Sequence, residues 1–291
     1  MVKKGSPMLT VRRTAWVLVA LWIFCEPGSG DRAPGATRGL PPPSDLKLLV
    51  KNTFWNELQA RKHPSAYFEY RQVDWSPESS TTSRKIETPQ GTVSSVLTEN
   101  GEPLTGEQRQ KNGRQLQRLV HSKKLQRQHL ASQQQEIQRR MGLFRDFPSA
   151  FLFQMDGVEN NGVVRLKFWP NPKFQPLSKE GLALRGMAGT LWINPQSQRL
   201  VKIKGALIRD VSLGWGMVVR LHRGGHFMMQ QADVGKGNWK TTLLAVDLTG
   251  KILLVKKLRV HMKQTREAFQ EVESDLTVVQ AVDMLRSDPP R

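Results

Sequence analysis

The sequence has little cysteine and little negative charge. Cys25 is its single cysteine in 291 residues, which excludes a disulfide framework, a CxxC redox site and a zinc site built from several cysteines. Only 25 acidic residues face 44 Lys and Arg, and the formal net charge is +19. Apolar residues make up 38% of the chain and only one run of them is long enough to meet a membrane. These values exclude a disordered chain and a polytopic membrane protein.

The sequence also lacks the motifs of the common enzyme classes. It contains no GxSxG, Walker loop, HExxH or dinucleotide-binding fingerprint, and no carboxylate pair can be named for a glycosidase-type site. His222 and His226 are four residues apart, but Gly224 and Gly225 lie between them and favour a turn over a helical metal site. We therefore expect no enzymatic activity, no cofactor and no metal.

The N-terminus has the three-part pattern of an export signal. Basic residues precede an apolar run at Ala15–Cys25, and small residues follow at Gly28–Gly30. The run has signal-peptide length and is short for a membrane span. The pattern predicts a signal peptide over residues 1–30, cleaved near Gly30, and a periplasmic protein that could associate with the outer membrane. An uncleaved N-terminal anchor is the alternative.

A short tether and one folded domain are predicted after the signal. Residues 31–44 are rich in Pro and Gly and indicate a tether without a fold of its own. A helix is predicted over Asp45–Arg61, with Ser44 as its N-cap. Its apolar face consists of Leu46, Leu49, Val50, Phe54 and Leu58. The domain is expected to span residues 45–286, and residues 287–291 form a disordered tail.

Most of the remaining chain has strand and turn patterns. A hairpin is predicted over Arg84–Leu97, and strands follow one another from Pro148 to about Met262. Gly224-Gly225 predicts a further hairpin turn. Apolar and polar residues alternate, as in an antiparallel sheet with one wet face. With about ten residues per strand, the pattern predicts a curved sheet that forms an incomplete, half-open β-barrel with a helical lid.

A basic helical segment interrupts the strand patterns at residues 105–141. The segment is rich in Gln, Arg and Lys and predicts one long helix, or two joined near Gly113. It contains no aromatic residue, and an exported protein rarely meets nucleic acid, so we expect no nucleic-acid partner. Its charge suits an anionic membrane surface. The predicted basic surface consists of Arg114, Arg118, Lys123, Lys124 and Arg127.

Large apolar residues on or beside the strands have two interpretations. Each one alone is best explained as part of an ordinary core. As a set, they could line an apolar cavity that holds an acyl chain, closed by helices. The predicted cavity residues are Phe151, Phe153, Met155, Phe168, Trp192, Ile203, Trp215 and Leu243.

The order of these segments resembles a known family. Its most specific stretch runs from Gly186 to Lys257 and includes GTLWINPQSQRLVKI and, after Gly237-Asn238-Trp239, the sequence DLTGK. This pattern resembles the outer-membrane lipoprotein-sorting protein family (LolA/LolB-like). The resemblance implies an incomplete β-barrel with helices at its open side and an apolar cavity for acyl chains. The chain departs from the family in its long basic segment and in having no lipobox.

The expected function follows from this resemblance and the compartment. It is the binding of lipid or lipoprotein acyl chains in an apolar half-barrel cavity, in lipoprotein sorting or transport. The alternative is a non-enzymatic envelope sensor or scaffold that binds a protein partner on the same fold.

Overall fold

The computed structural model describes residues 45–176, 180–214, 218–253 and 256–287. The predicted signal peptide and tether, Trp215 and residues 288–291 lie outside the described residues. The described chain contains one 3-10 helix, Glu180–Gly186, and the α-helices α1 (Leu46–Lys62), α2 (Gly106–His121), α3 (Lys123–Ala150) and α4 (Val278–Ser287). Its strands are β1 (Tyr67–Ser76), β2 (Ser79–Thr88), β3 (Gly91–Glu99), β4 (Glu102–Pro103), β5 (Phe151–Val158), β6 (Val164–Pro170), β7 (Met187–Asn194), β8 (Arg199–Leu207), β9 (Val211–Gly214), β10 (Val218–Leu221), β11 (His226–Asp233), β12 (Trp239–Ile252) and β13 (Lys256–Val272).

The strands form a single antiparallel sheet of 13 strands. Their order is β4-β3-β2-β1-β13-β12-β11-β8-β7-β6-β5, and the β9-β10 hairpin pairs with the end of β12. The sheet stays open, since β4 and β5 are its two ends. The chain is thus mainly β, an open half-barrel with helices packed on it, which confirms the predicted fold class.

Side-chain caps set the helix starts. Asp45, not Ser44, caps α1, and its carboxylate accepts the backbone N–H of Leu48 at 2.9 Å. The basic segment divides at Ser122, whose side chain caps α3, while Gly113 lies inside α2. The prediction of a junction at Gly113 was wrong because a glycine inside a helix only weakens it, whereas a hydroxyl at an N-cap starts a new helix.

The two largest hydrophobic cores lie on opposite faces of the sheet. The larger core joins α1 and the second half of α3 to strands β5–β8 and β10–β12. The smaller core joins α2 and α4 to Ile86 of β2 and Val93 of β3. Ile86 of the smaller core pairs with Glu69 of β1. Leu244 of the larger core pairs with Gln264 of β13, and Gln264 pairs with Asp74 of β1. Because side chains alternate along a strand, residues 69 and 74 point to opposite faces.

Two further predicted elements differ from the structure, and one helix was not predicted. The strand region starts at Phe151, not Pro148, because α3 continues through Pro148 to Ala150. Gly224 and Gly225 do not close a hairpin: β10 pairs with β9 and β12, and β11 pairs with β8 and β12. The helix α4 was not predicted, and it includes Ser287, which the sequence assigned to the tail.

Candidate ligand-binding site

The sheet has an inner face that is apolar from β5 to β12. Five predicted cavity residues lie on it: Phe151, Phe153, Met155, Phe168 and Ile203. Phe151, Phe168 and Ile203 are buried, and Phe153 and Met155 are partly buried against the same core. The register places Phe153 directly across from Phe168. The sequence pattern therefore identified the correct face of β5, β6 and β8.

Two predicted cavity residues lie on the outer face instead. Trp192 points away from the core: its indole N–H donates to Glu159 at 3.1 Å, and the ammonium of Lys202 lies 5.1 Å from its ring. Leu243 is offset by one from Leu244, which belongs to the core. The prediction that Trp192 and Leu243 lie on the inner face was therefore wrong. Each is the neighbour of a core residue in its strand, and neighbouring residues point to opposite faces. Trp215 lies outside the described residues.

Aromatic side chains from α1 and α3 cover the inner face. Phe54 of α1 stacks on Phe147 of α3 with ring centroids 4.3 Å apart. Phe147 also contacts Phe151 at 4.6 Å and Phe168 at 5.4 Å. The sequence analysis missed Phe144 and Phe147 because it ended the helix at Met141. The helical spacing of Met141, Phe144 and Phe147 was the available signal.

The interior under these helices is filled. A void of only about 10 Å³ lies between the helices and the sheet, lined by Phe54, Leu143, Phe144, Phe147, Leu184, Leu200, Ile203 and Met229. This volume is at the lower limit of what a single water molecule needs. An acyl chain therefore fits against the inner face only if α1 or α3 moves away from it.

A much larger cleft opens on the solvent side of the same two helices. Its volume is about 890 Å³. Phe54 and Phe144 line both this cleft and the interior void, and their ring centroids are 5.5 Å apart. These two rings are thus the wall between the cleft and the inner face.

A buried ion pair fastens α1 to the sheet. Glu57 is 1% exposed, and one of its carboxylate oxygens accepts from Arg199 of β8 at 2.8 Å and from the backbone N–H of Leu200 at 3.3 Å. The side chain of Asn56 donates to the carbonyl of Gln198 at 3.3 Å. These bonds hold the middle of α1 against the β7–β8 turn and the start of β8.

A polar ring closes the inner face at β13 and β1. Gln72 and Gln264 donate to the two carboxylate oxygens of Asp74 at 2.7 and 2.6 Å. Arg266 donates to the side-chain carbonyl oxygens of Gln72 and Gln264 at 3.0 and 2.7 Å. Gln72 and Gln264 are buried, and the network pairs their amide groups. The larger core includes no residue of β1, and Phe68 and Tyr70 of that strand belong to a separate small cluster.

The predicted basic surface is solvent-exposed. Arg114, Arg118, Lys123, Lys124 and Arg127 are all exposed, on the second half of α2 and the first turns of α3. The apolar stripe of α2 instead faces the smaller core, where Leu116 is buried. The charges are therefore free to meet an anionic surface in solution.

His222 and His226 belong to no larger cluster of metal-ligating side chains in the described residues. His222 lies 3.4 Å from Asp210, and His226 is exposed. The backbone N–H of Arg223 and the His222 and Arg220 side chains hold the pKa of Asp210 below its ordinary value. Across the described ranges, no group of three or more His, Cys, Asp or Glu could hold a metal ion. Within those same ranges, no helix is long and apolar enough to span a bilayer.

No protein-family model matches this chain, and no curated protein does. The resemblance to the lipoprotein-sorting family therefore stands on the sequence pattern alone, and a function has to be argued from the inner face, its two helices and the cleft.

Proposed function

We propose that the chain is a non-enzymatic binding protein for the acyl chains of lipids or lipoproteins, acting in lipoprotein sorting or transport in the bacterial envelope. One observation carries the proposal: the open sheet has an apolar inner face from β5 to β12, and α1 and α3 cover it. A sheet that stays open and is covered by helices can exchange that cover for a ligand. The periplasmic location rests on the predicted signal peptide.

The exchange is energetically reasonable. Burying a CH₂ group contributes about 0.8 kcal/mol, so a chain of about 14 carbons contributes on the order of 10 kcal/mol. Moving α1 aside exposes the apolar side chains Leu49, Val50, Phe54 and Leu58 and costs a similar amount. Separating Glu57 from Arg199 adds to this cost, so loading is close to balanced at best. Release is driven by a partner of higher affinity, because a ligand shifts an equilibrium only by its differential affinity.

The make-up of the inner face supports a ligand of irregular shape. Met155 and Met229 lie among the rings and branched side chains. Methionine has an unbranched, flexible side chain that adapts to different neighbours. The face can therefore repack around an acyl chain without a preformed cavity.

The filled interior favours a second function. A void of about 10 Å³ is what an ordinary close-packed core contains. If α1 and α3 never leave the sheet, the fold is a rigid platform, and the chain is an envelope sensor or scaffold that binds a protein partner on its surface.

A matched pair of substitutions on β5 separates the two functions. Phe153 lies on the inner face and its neighbour Leu152 lies on the outer face, 42% exposed. We expect the wild-type chain and Leu152→Asp to take up a fluorescent fatty-acyl probe, and Phe153→Asp to lose uptake at least tenfold. Circular dichroism and urea unfolding check that both variants fold. Absence of uptake by the wild-type chain, or equal uptake by both folded variants, contradicts acyl binding on the inner face.

The basic surface supports a membrane partner. Its five exposed residues could each contribute about 1 kcal/mol beside an anionic bilayer. We include in the proposal that this surface brings the protein to an anionic membrane leaflet, where acyl chains are delivered or collected.

A further inference from the structure

The cleft between α1 and α3 has an ordered arrangement of charge and aromatic surface on its α1 side. Lys51, Trp55, Leu58 and Lys62 line it. Their spacing of four, three and four residues puts them in one stripe along the helix. With a rise of 1.5 Å per residue, the two lysines are about 16 Å apart along the axis. Trp55 lies between them and is 60% exposed.

The α3 side of the cleft adds a third basic group. Gln138, Met141, Arg145 and Pro148 line it, again at helical spacing. The ring centroids of Phe54 and Phe147 are 4.3 Å apart, and the guanidinium carbon of Arg61 lies 4.7 Å from the ring centroid of Phe144. Because the later residue of α1 meets the earlier residue of α3, the two helices run antiparallel. Arg145 is therefore close to the level of Trp55, on the opposite wall.

The residues that line the cleft carry an excess of positive charge, and of the three basic ones only Arg145 has a carboxylate partner, Asp146. Three basic side chains line it, and no described carboxylate does. In the part of the chain that the structure describes, neither Lys51 nor Lys62 forms an ion pair, and both are exposed. Arg145 has a side chain that is 57% exposed and lies 3.5 Å from Asp146. An anion in this cleft meets two lysines with unused donors and a guanidinium.

The apolar floor of the cleft leads toward the inner face. Phe54 and Phe144 separate the cleft from the interior void, and Trp55 and Leu58 lie on its α1 wall. A ligand with an anionic end and an apolar chain matches this order of surfaces, from the basic walls of the cleft to its apolar floor.

We propose that the cleft is the head-group site for a lipid of net negative charge. The positive charge of Lys51, Lys62 and Arg145 attracts its phosphate, and its chain passes Trp55 and displaces Phe54 and Phe144 to reach the inner face. The inference rests on the proposed acyl binding and adds the class of lipid that is selected: an anionic phospholipid in preference to a zwitterionic one.

Two lysolipids with the same myristoyl chain test the inference. Lysophosphatidylglycerol carries a net negative charge and lysophosphatidylcholine carries none. The full chain, freed of lipid, is titrated with each by calorimetry below the critical micelle concentrations. Three exposed basic groups predict that lysophosphatidylglycerol binds about tenfold more tightly than lysophosphatidylcholine.

Charge-reversed variants assign the difference to the cleft. The cleft variant carries Lys51→Glu, Lys62→Glu and Arg145→Glu. The control carries Lys251→Glu, Lys257→Glu and Arg259→Glu, an equal change of charge on exposed residues of β12 and β13 outside the cleft and the basic surface. We expect the cleft variant to lose the preference and keep its affinity for lysophosphatidylcholine, and the control to keep the preference. If the cleft variant does not fold, Lys51→Gln with Lys62→Gln replaces it, with a loss of about threefold or more expected.

The outcomes distinguish this inference from the proposed function. Equal binding of both lysolipids by the wild-type chain, or equal loss of preference in the cleft variant and the control, overturns the head-group site and leaves acyl binding intact. Binding of neither lysolipid contradicts acyl binding itself, and the head-group site fails with it.

Discussion

The rings of Phe54 and Phe144 lie with their centroids 5.5 Å apart and line both the exposed cleft and the interior void. One ring belongs to α1 and the other to α3, so the wall between solvent and the inner face is made by two separate helices. A wall of this kind opens when one helix moves, without any change in the sheet. Acyl binding depends on that movement.

Acyl loading should move α1 away from the β7–β8 turn. Spin labels on Leu48→Cys and Gln196→Cys, in a Cys25→Ser background, report this distance, because Leu48 and Gln196 are exposed on α1 and on the turn. We expect the distance between the two spin labels, measured by double electron–electron resonance, to increase by several ångströms when a fatty-acyl ligand is added. Labels on Gln154→Cys and Thr249→Cys, both exposed on strands, are the control and should not separate. An unchanged α1 distance in a loaded protein would show that α1 is not the part that moves.

The buried pair between Glu57 and Arg199 should be important for stability. Glu57 is 1% exposed, and removing its partner leaves a buried carboxylate with reduced compensation. We expect Arg199→Ala to lower the free energy of unfolding by about 3 kcal/mol, as measured by urea denaturation. Lys236→Ala breaks an exposed pair with Glu271 and should cost less than about 1 kcal/mol. Similar small costs for both variants would contradict the role given to Glu57.

Acid should weaken the outer face at Asp156. Hydrogen bonds and attraction from Lys167 and Arg165 hold the pKa of Asp156 below its ordinary value. A lowered folded-state pKa contributes stability above the unfolded pKa, near 3.9, and this contribution is lost as pH falls through the folded-state pKa. We expect Asp156→Asn to cost up to about 1 kcal/mol at neutral pH and progressively less as the pH falls below the unfolded pKa. Chemical denaturation at several pH values measures this, with Asp275→Asn as an exposed control. A cost that does not change with pH would rule out the ion pairs as its source.

The basic surface should bind anionic vesicles. We expect co-sedimentation with vesicles of phosphatidylglycerol and phosphatidylcholine, and none with phosphatidylcholine alone. Reversing Arg114, Arg118 and Arg127 to Glu should remove most of this binding, and raising the salt concentration should weaken it in the wild-type chain. Reversal of Lys51, Lys62 and Arg145 is the matched control, with a smaller effect. Loss of equal size in both variants would show that net charge, not the α2–α3 surface, directs the binding.

Local sequence patterns predicted the sheet and most of its inner face. Alternation along β5, β6 and β8 placed Phe153, Phe168 and Ile203 correctly, because a strand has a fixed period of two. Trp192 was placed on the wrong face, and the pairing of β7 with β8 shifts register between Trp192 and Ile193. Alternation alone does not determine which of two adjacent apolar residues faces the core.

Contacts between distant segments were not predictable in this way. The sequence analysis ended the helix at Met141 and began the strands at Pro148, yet α3 continues to Ala150, and Phe147 and Ala150 pack in the larger core. The pairing of β1 with β13 and of β8 with β11 joins strands that are far apart in the chain. The cleft depends on α1 and α3, which are separated by four strands and α2, so no local pattern indicated it.

Native mass spectrometry of the protein purified from the cells that naturally make it, followed by lipid extraction, tests acyl binding most directly. We expect a stoichiometric adduct with the mass of a lipid or an acylated peptide, which is released on denaturation. An adduct-free protein that also fails to take up a fluorescent fatty-acyl probe would contradict acyl binding and favour a scaffold that binds a protein partner.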